Sequence, residues 1–242
     1  GSDNGESVQQ TTDGGYIVIG LTYSYGNGCS DIWLIKTDTN GNEEWSQTFG
    51  GSNCDRGYSV QQTTDGGYII TGYTESFGNG YEDVWLIKTD ANGDSLWTKT
   101  FGEGVGEIGY SVQQTTDSGF IITGCKDCYT TSSDVWLIKT DSQGNEEWNH
   151  TIFCEYQGLD IGYSVQQTTD GGYIIAGYTN SYGNGGSDVW LIKVINAYQG
   201  PIWYVDTDNG SSSGNGSPAD PFREIQDAID AVDPLSRTDG LI

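Results

Sequence analysis

Apolar positions in this chain are gathered into short, nearly continuous runs. Tyr68-Ile-Ile-Thr-Gly-Tyr73 and Val84-Trp-Leu-Ile87 are typical, and each is set between polar stretches rich in Gly, Asn, Asp and Ser. Runs of this length, rich in β-branched and aromatic residues and bounded by turn residues, predict strands buried on both faces. Gly67–Thr74 and Asp83–Thr89 are two such strands. Asp90-Ala-Asn-Gly93 then predicts a tight hairpin, because Asn-Gly readily takes the positive backbone angles of such turns. Ser95–Phe101 and Tyr110–Thr115 complete a set of four strands, and Thr116-Asp-Ser-Gly119 turns the chain into the next set.

The pattern occurs four times. Ser-Val-Gln-Gln-Thr-Thr-Asp recurs with its serine at 7, 59, 111 and 164. Asp-(Ile/Val)-Trp-Leu-Ile-Lys recurs from 31, 83, 134 and 188. Self-similarity at this period, with four antiparallel strands per unit, is the signature of a propeller blade. Counted from Tyr-Ile-Ile, each blade takes the Ser-Val-Gln-Gln strand of the following unit as its fourth. The chain then opens with an orphan strand and ends with a three-stranded blade whose last strand is Pro201–Asp206. The expected fold is all-β: a four-bladed β-propeller of ~52-residue, four-stranded blades. Pairing of the N-terminal strand into the C-terminal blade closes it and removes the open edge. A slice of a larger ring, or two chains joined into one ring, is the alternative. The domains expected are a propeller over 5–207, a flexible linker over 208–219, and an amphipathic C-terminal helix and tail over 220–242.

Tyr-Ile-Ile-X-Gly-Tyr-Thr, followed by Asp-Val-Trp-Leu-Ile-Lys-Thr-Asp-X-Asn-Gly and a third-strand Trp, resembles the blade of quinoprotein-like propellers. It is closer still to the repeat arrays of large secreted bacterial and archaeal surface proteins. The resemblance covers residues 5 to about 205 and implies the fold; the quinone-binding and calcium residues of quinoprotein dehydrogenases have no counterpart here. In the tail, Tyr204-Val-Asp206 and Pro221-Phe-X-X-Ile-Gln-Asp-Ala-Ile-Asp-Ala231 resemble the opening of a pectate-lyase-like parallel β-helix, where such a helix caps the solenoid. Asp220 as N-cap, Pro221 at the first helical position and the stripe Phe222, Ile225, Ala228, Ile229, Val232 predict that helix.

The net charge of −25 excludes nucleic acid and anionic membrane surfaces as natural partners, since both require clustered Lys and Arg. No apolar stretch is long enough to span a bilayer. Methionine is absent and no apolar run opens the sequence, as expected of a piece of a longer protein. The eight tryptophans fall on two strands of every unit, so packing between blades is their expected role. Lys88 and Asp90, two apart, are expected to pair locally.

Five cysteines stand at 29, 54, 125, 128 and 154. Strand alternation brings the two long-loop types to one end of each blade. Disulfides Cys29–Cys54 and Cys128–Cys154 are therefore expected, with Cys125 free, in an extracellular or cell-surface location. Metal or redox use of Cys125-Lys-Asp-Cys128 is the alternative.

The same loops carry the candidate ligand site. Tyr25, Phe77 and Tyr182 recur beside Asn27, Asn79 and Asn184. An aromatic ring stacks on the C–H face of a sugar while an amide bonds its hydroxyls; the competing reading is that each loop packs on its own blade. Asp38–Glu43 and Asp141–Glu146 share the alternating oxygens of calcium loops but lack their spacing, and read as hairpin turns. No metal site and no cofactor are expected, with calcium the only alternative. No Ser-His-Asp, Cys-His or paired-carboxylate motif stands out. The expected function is a non-enzymatic, extracellular or cell-surface binding or scaffold module. Its expected partner is carbohydrate or another surface protein, with self-association an additional prospect. The alternatives are the accessory part of a quinoprotein-like oxidoreductase or of a polysaccharide-degrading β-helix enzyme, and a structural assembly subunit.

Overall fold

A computed structural model describes residues 1–103, 105–152, 158–182 and 186–195. Among them are fifteen strands and no helix. The first sheet comprises β1 (Asp3–Gln10), β2 (Tyr16–Thr22), β3 (Asp31–Thr37) and β4 (Glu43–Phe49). The second comprises β5 (Asp55–Gln62), β6 (Tyr68–Thr74), β7 (Asp83–Thr89) and β8 (Ser95–Phe101). The third comprises β9 (Ile108–Gln114), β10 (Phe120–Lys126), β11 (Asp134–Thr140) and β12 (Glu146–Ile152). The fourth contains β13 (Asp160–Gln167), β14 (Tyr173–Thr179) and β15 (Asp188–Val194). Every sheet is antiparallel with its strands in chain order, and β1, β5, β9 and β13 meet one another in sequence. The sheets thus converge on their first strands, an arrangement consistent with a β-propeller.

The phase of the repeat differs from the expectation. Ser-Val-Gln-Gln is the first strand of each sheet, not the last of the preceding one: β1 pairs with β2 and β5 with β6. A perfect tandem repeat has no phase of its own, and the short Thr-Thr-Asp-Gly-Gly turn decides it by joining these two strands as a hairpin. The N-terminal strand therefore belongs to the first sheet and, among the described residues, enters no other. The strand expected at Pro201–Asp206, the linker and the C-terminal helix lie outside the described residues.

Burial follows position in the sheet. β7 and β11 are buried along their whole length, while β8 and β12 are largely exposed. Packing between neighbouring sheets forms three apolar clusters. One joins Ile17, Ile19, Ile32 and Leu34 of the first sheet to Val60, Tyr68, Ile70, Trp85 and Ile87 of the second, and the pattern recurs at the next two junctions. Each fully buried Ile or Leu contributes about 1.5–3 kcal/mol. Trp45, Trp97 and Trp148 reach across to Tyr68, Phe120 and Tyr173 of the next sheet, with ring centroids 5.8, 5.9 and 5.9 Å apart. The outer faces of the series differ. Val8 is 64% exposed where Val60 is 5%, and Val189 is 74% exposed where Val84 is 1%.

At the tight-turn end, Asp65 accepts hydrogen bonds from Thr63 Oγ1 and from Gly67 N–H at 2.5 and 3.0 Å. A Cβ on Gly67 would sit 2.1 Å from the Thr89 carbonyl oxygen, so no other residue fits. The lysine expected to pair with Asp90 pairs here instead: Lys88 Nζ lies 2.9 Å from Asp65 Oδ2. The reason is register, since Lys88 stands opposite Ile69, beside the turn, while Asp90 caps its own hairpin through Asn92 and Asp94 N–H. Lys36, Lys139 and Lys193 repeat the pairing with Asp13, Asp117 and Asp170. Burial works to raise the carboxyls of Asp117 and Asp170, but hydrogen bonds from the Thr and Lys partners overcome it and hold both at about 2.

Candidate functional site

The opposite end carries the longer loops. Ser30 bridges to Cys54, and Cys29 is disulfide-bonded to Cys54, so the β2–β3 loop is tied to the β4–β5 loop of the same end. In the third sheet the expected Cys128–Cys154 bond is replaced by Cys125–Cys128, and Cys125 is not free. Asp127, with its positive φ of 56°, folds the chain back so that the two Cα atoms stand 5.6 Å apart. A partner three residues away meets this geometry without help from another loop; Cys154 lies outside the described residues.

The loop aromatics pack on the tryptophan of their own sheet and two of them keep exposed area. Tyr25 lies on Trp33, Phe77 on Trp85 and Tyr182 on Trp190, with centroids 5.4, 5.3 and 6.1 Å apart. Tyr25 remains 60% exposed and Phe77 47%. Tyr182 is partly buried against the core. The loop amides serve the framework through their backbones. Asn79 N–H donates to Asp83 Oδ2 at 2.8 Å, and Asn27 N–H lies toward Asp31 at the equivalent place. Burial raises both carboxyls above the usual range, and these N–H donors partly offset it. Asn27 and Asn79 are exposed, and Asn184 lies outside the described residues.

The two exposed rings line two grooves. One, of about 380 Å³, is lined by Tyr25, Trp33, Glu43, Ser46, Gln47 and Thr48. The other, of about 270 Å³, crosses from the first sheet to the second and is lined by Thr48, Phe49, Gly50, Phe77, Trp85 and Thr98. Trp85 is 4% exposed and its Nε1–H has no hydrogen-bond partner. A buried donor left unpaired costs about 1–3 kcal/mol, so it is a strong point of attachment for an acceptor that reaches it. Sequence reading named Phe77 but missed Trp85, Thr48 and Thr98. The signal was available, because Asn149 stands in the third sheet where Thr98 stands in the second, and Asn149 accepts the Trp136 indole N–H at 3.1 Å.

A second feature lies on the converging strands. A register shift in each first strand leaves Glu6, Tyr58, Tyr110 and Tyr163 unpaired in their ladders. Bulges of this kind re-aim side chains. Tyr58 and Tyr110 come within 4.9 Å, and Tyr110 and Tyr163 within 5.1 Å. Arg56 lies over the Tyr58 ring at 5.0 Å and forms an ion pair with Glu6 at 2.5 Å. These aromatic and ionic contacts join neighbouring sheets, and within the cluster Arg56 Nε has no hydrogen-bond partner.

No family model matches the sequence, and no curated protein matches it at significance. Solved structures that it resembles include the endo-1,5-α-L-arabinanase of Thermotoga petrophila RKU-1, at 13% identity and a TM-score of 0.46, over 82% of this chain and 57% of that one. The chain thus spans little more than half the length of that protein. The finding corrects one expectation. A non-enzymatic chain was expected because no catalytic motif stood out; the protein named here is an enzyme, and that expectation is withdrawn. What the arabinanase acts on remains a property of that protein.

Proposed function

We propose that the loop end of the sheets is a carbohydrate-binding surface, centred on the groove between the first and second sheets. The observation that carries this reading is the pairing of the exposed Phe77 ring with the unpartnered indole N–H of Trp85, beside the hydroxyls of Thr48 and Thr98. A sugar ring presents what such a groove lacks: an apolar C–H face for the aromatic ring and oxygens for the N–H. Tyr25 on Trp33 forms a second platform of the same kind, with the amides of Asn27 and Asn79 exposed nearby in sequence. The Cys29–Cys54 bond stiffens the loops around it, which lowers the ordering cost of binding. Disulfides at this end favour an extracellular or cell-surface setting. We read the uncovered faces at Val8 and Val189 as the two that meet when the ring of sheets is completed.

The test is a glycan array probed with the full chain and with Phe77→Ala and Trp85→Phe, with reducing-end release measured in the same incubations so that hydrolysis is read separately from binding. Selective binding should be lost in Phe77→Ala and weakened about tenfold in Trp85→Phe, as expected for one hydrogen bond. Binding that survives Phe77→Ala unchanged would remove the groove from the account.

A further inference from the structure

Each sheet carries an acidic position at the loop end where its first strand begins: Asp3, Asp55 and Asp160 open their strands, and Glu107 immediately precedes β9. In the second sheet this carboxylate is fully provided for. Asp55 accepts hydrogen bonds from Thr74 Oγ1, from Ser76 Oγ at 2.6 Å and from Gly51 N–H at 2.9 Å. In the first sheet, Thr22 Oγ1 and Ser24 Oγ donate to Asp3 at 2.6 and 2.9 Å. Ser181 Oγ donates to Asp160 Oδ2 at 2.6 Å, while Asp160 Oδ1 has no hydrogen-bond partner. The third sheet breaks the set. Lys126 and Cys128 stand where the Thr and Ser donors should be, and the acid is one methylene longer.

Glu107 is consequently isolated. It is 0% exposed, and neither carboxylate oxygen has a hydrogen-bond partner. The Glu103 N–H lies toward it without reaching hydrogen-bond geometry, and its chief neighbour in charge is another acid, Asp83, itself 2% exposed. The two face each other across Gly102. A Cβ there would lie 2.0 Å from Asp83 Oδ1 and 2.7 Å from Glu107 Oε2. Asp83 spends its other oxygen on Asn79 N–H, which leaves Oδ1 directed at this space. The nearby Lys126 offsets the repulsion only in part, as its ammonium lies 3.7 Å from Glu103 and 5.4 Å from the centre of the Trp136 ring. Burial and mutual repulsion raise the Glu107 carboxyl, so the two acids do not tolerate each other's charge unaided.

We propose that Asp83 and Glu107 form a divalent-cation site at the junction of the second and third sheets, with calcium as the fitting ion. The donor set is all oxygen, which suits a hard cation, and two buried carboxylates supply the two charges that such an ion balances. The site is separate from the Asp38 and Asp141 turns: there the carboxylates are already occupied by the N–H groups of their own hairpins.

The full chain, stripped with EDTA, would be titrated with calcium chloride by calorimetry and by thermal melting, beside Glu107→Gln, Asp83→Asn and Asp38→Asn. The proposal expects a saturable site and a melting temperature that rises with calcium in wild type and in Asp38→Asn, with both lost in Glu107→Gln and Asp83→Asn. Two results would overturn it: a wild-type chain indifferent to calcium, or a Glu107→Gln chain that responds as wild type does. Because Glu107→Gln relieves a buried charge without changing shape, its folding in EDTA is itself measurable by the same melt.

Discussion

The second and third sheets share a framework and diverge at one end. Asp-Val-Trp-Leu-Ile-Lys-Thr is identical in β7 and β11, and both strands are buried throughout. At the loop end almost every contact differs. Trp85 carries the Phe77 ring and an unpaired N–H; Trp136 carries the ammonium of Lys126 and donates to Asn149. Tyr129, the counterpart of Phe77, turns instead toward Gly106, with Glu82 beside it. Asp55 has three donors and Glu107 has none within reach. The lesson is that the repeat fixes strands and core, while a few substitutions on identical supports decide which junction keeps an open groove and which keeps an unbalanced carboxylate.

The comparison can be broken first at the cysteines and the core. Leu86 and Leu137 are both 0% exposed, so Leu86→Ala and Leu137→Ala should each cost about 3 kcal/mol in urea unfolding. Unequal losses would mean that the frameworks are not equivalent. Cys29→Ser opens a loop with a separation of 25 residues and should cost about 3 kcal/mol. Cys125→Ser opens one of only 3 and should cost roughly half as much on the same loop-entropy scaling. Equal costs would show that the disulfides act through native contacts rather than through chain entropy.

Acid sharpens what the two sheets share. The Asp117 carboxyl of the third sheet lies below the ordinary 3.8, at about 2, and the Asp65 carboxyl of the second is lowered in the same way. A depressed carboxyl stabilises the fold fully above its unfolded value and loses that contribution as pH falls through the folded one. Urea midpoints should therefore decline between pH of about 4 and about 2. Asp117→Asn should flatten that decline without altering the neutral-pH groove. The smallest effect is the most specific: Thr98→Asn copies the third-sheet arrangement and gives Trp85 an acceptor. It should raise stability by about 1 kcal/mol and weaken carbohydrate binding, read by melting and by titration.

Much of this was legible in the sequence. The strand runs around Tyr-Ile-Ile and Asp-Val-Trp-Leu-Ile, the glycine turns and the inter-sheet role of the tryptophans all follow from local pattern and period. Phase was not, because each strand of a tandem repeat has a plausible neighbour on either side. The partner of Lys88 was hidden for a similar reason: Asp65 is distant in sequence but adjacent across the ladder. Cys125 and Cys128 were misassigned because the turn at Asp127 was not foreseen. The groove and the Asp83–Glu107 pair are each assembled from two sheets, so no single stretch announces them. What the sequence did hold was the exception, Lys126 and Cys128 in the places of Thr and Ser.

The most direct measurement is a calorimetric titration of the best glycan from the array into wild type, Phe77→Ala and Tyr129→Ala. The account predicts that Phe77→Ala loses binding and Tyr129→Ala retains it, since of the second and third sheets it is the second that leaves its tryptophan groove open. Equal loss in both variants, or loss confined to Tyr129→Ala, would contradict it.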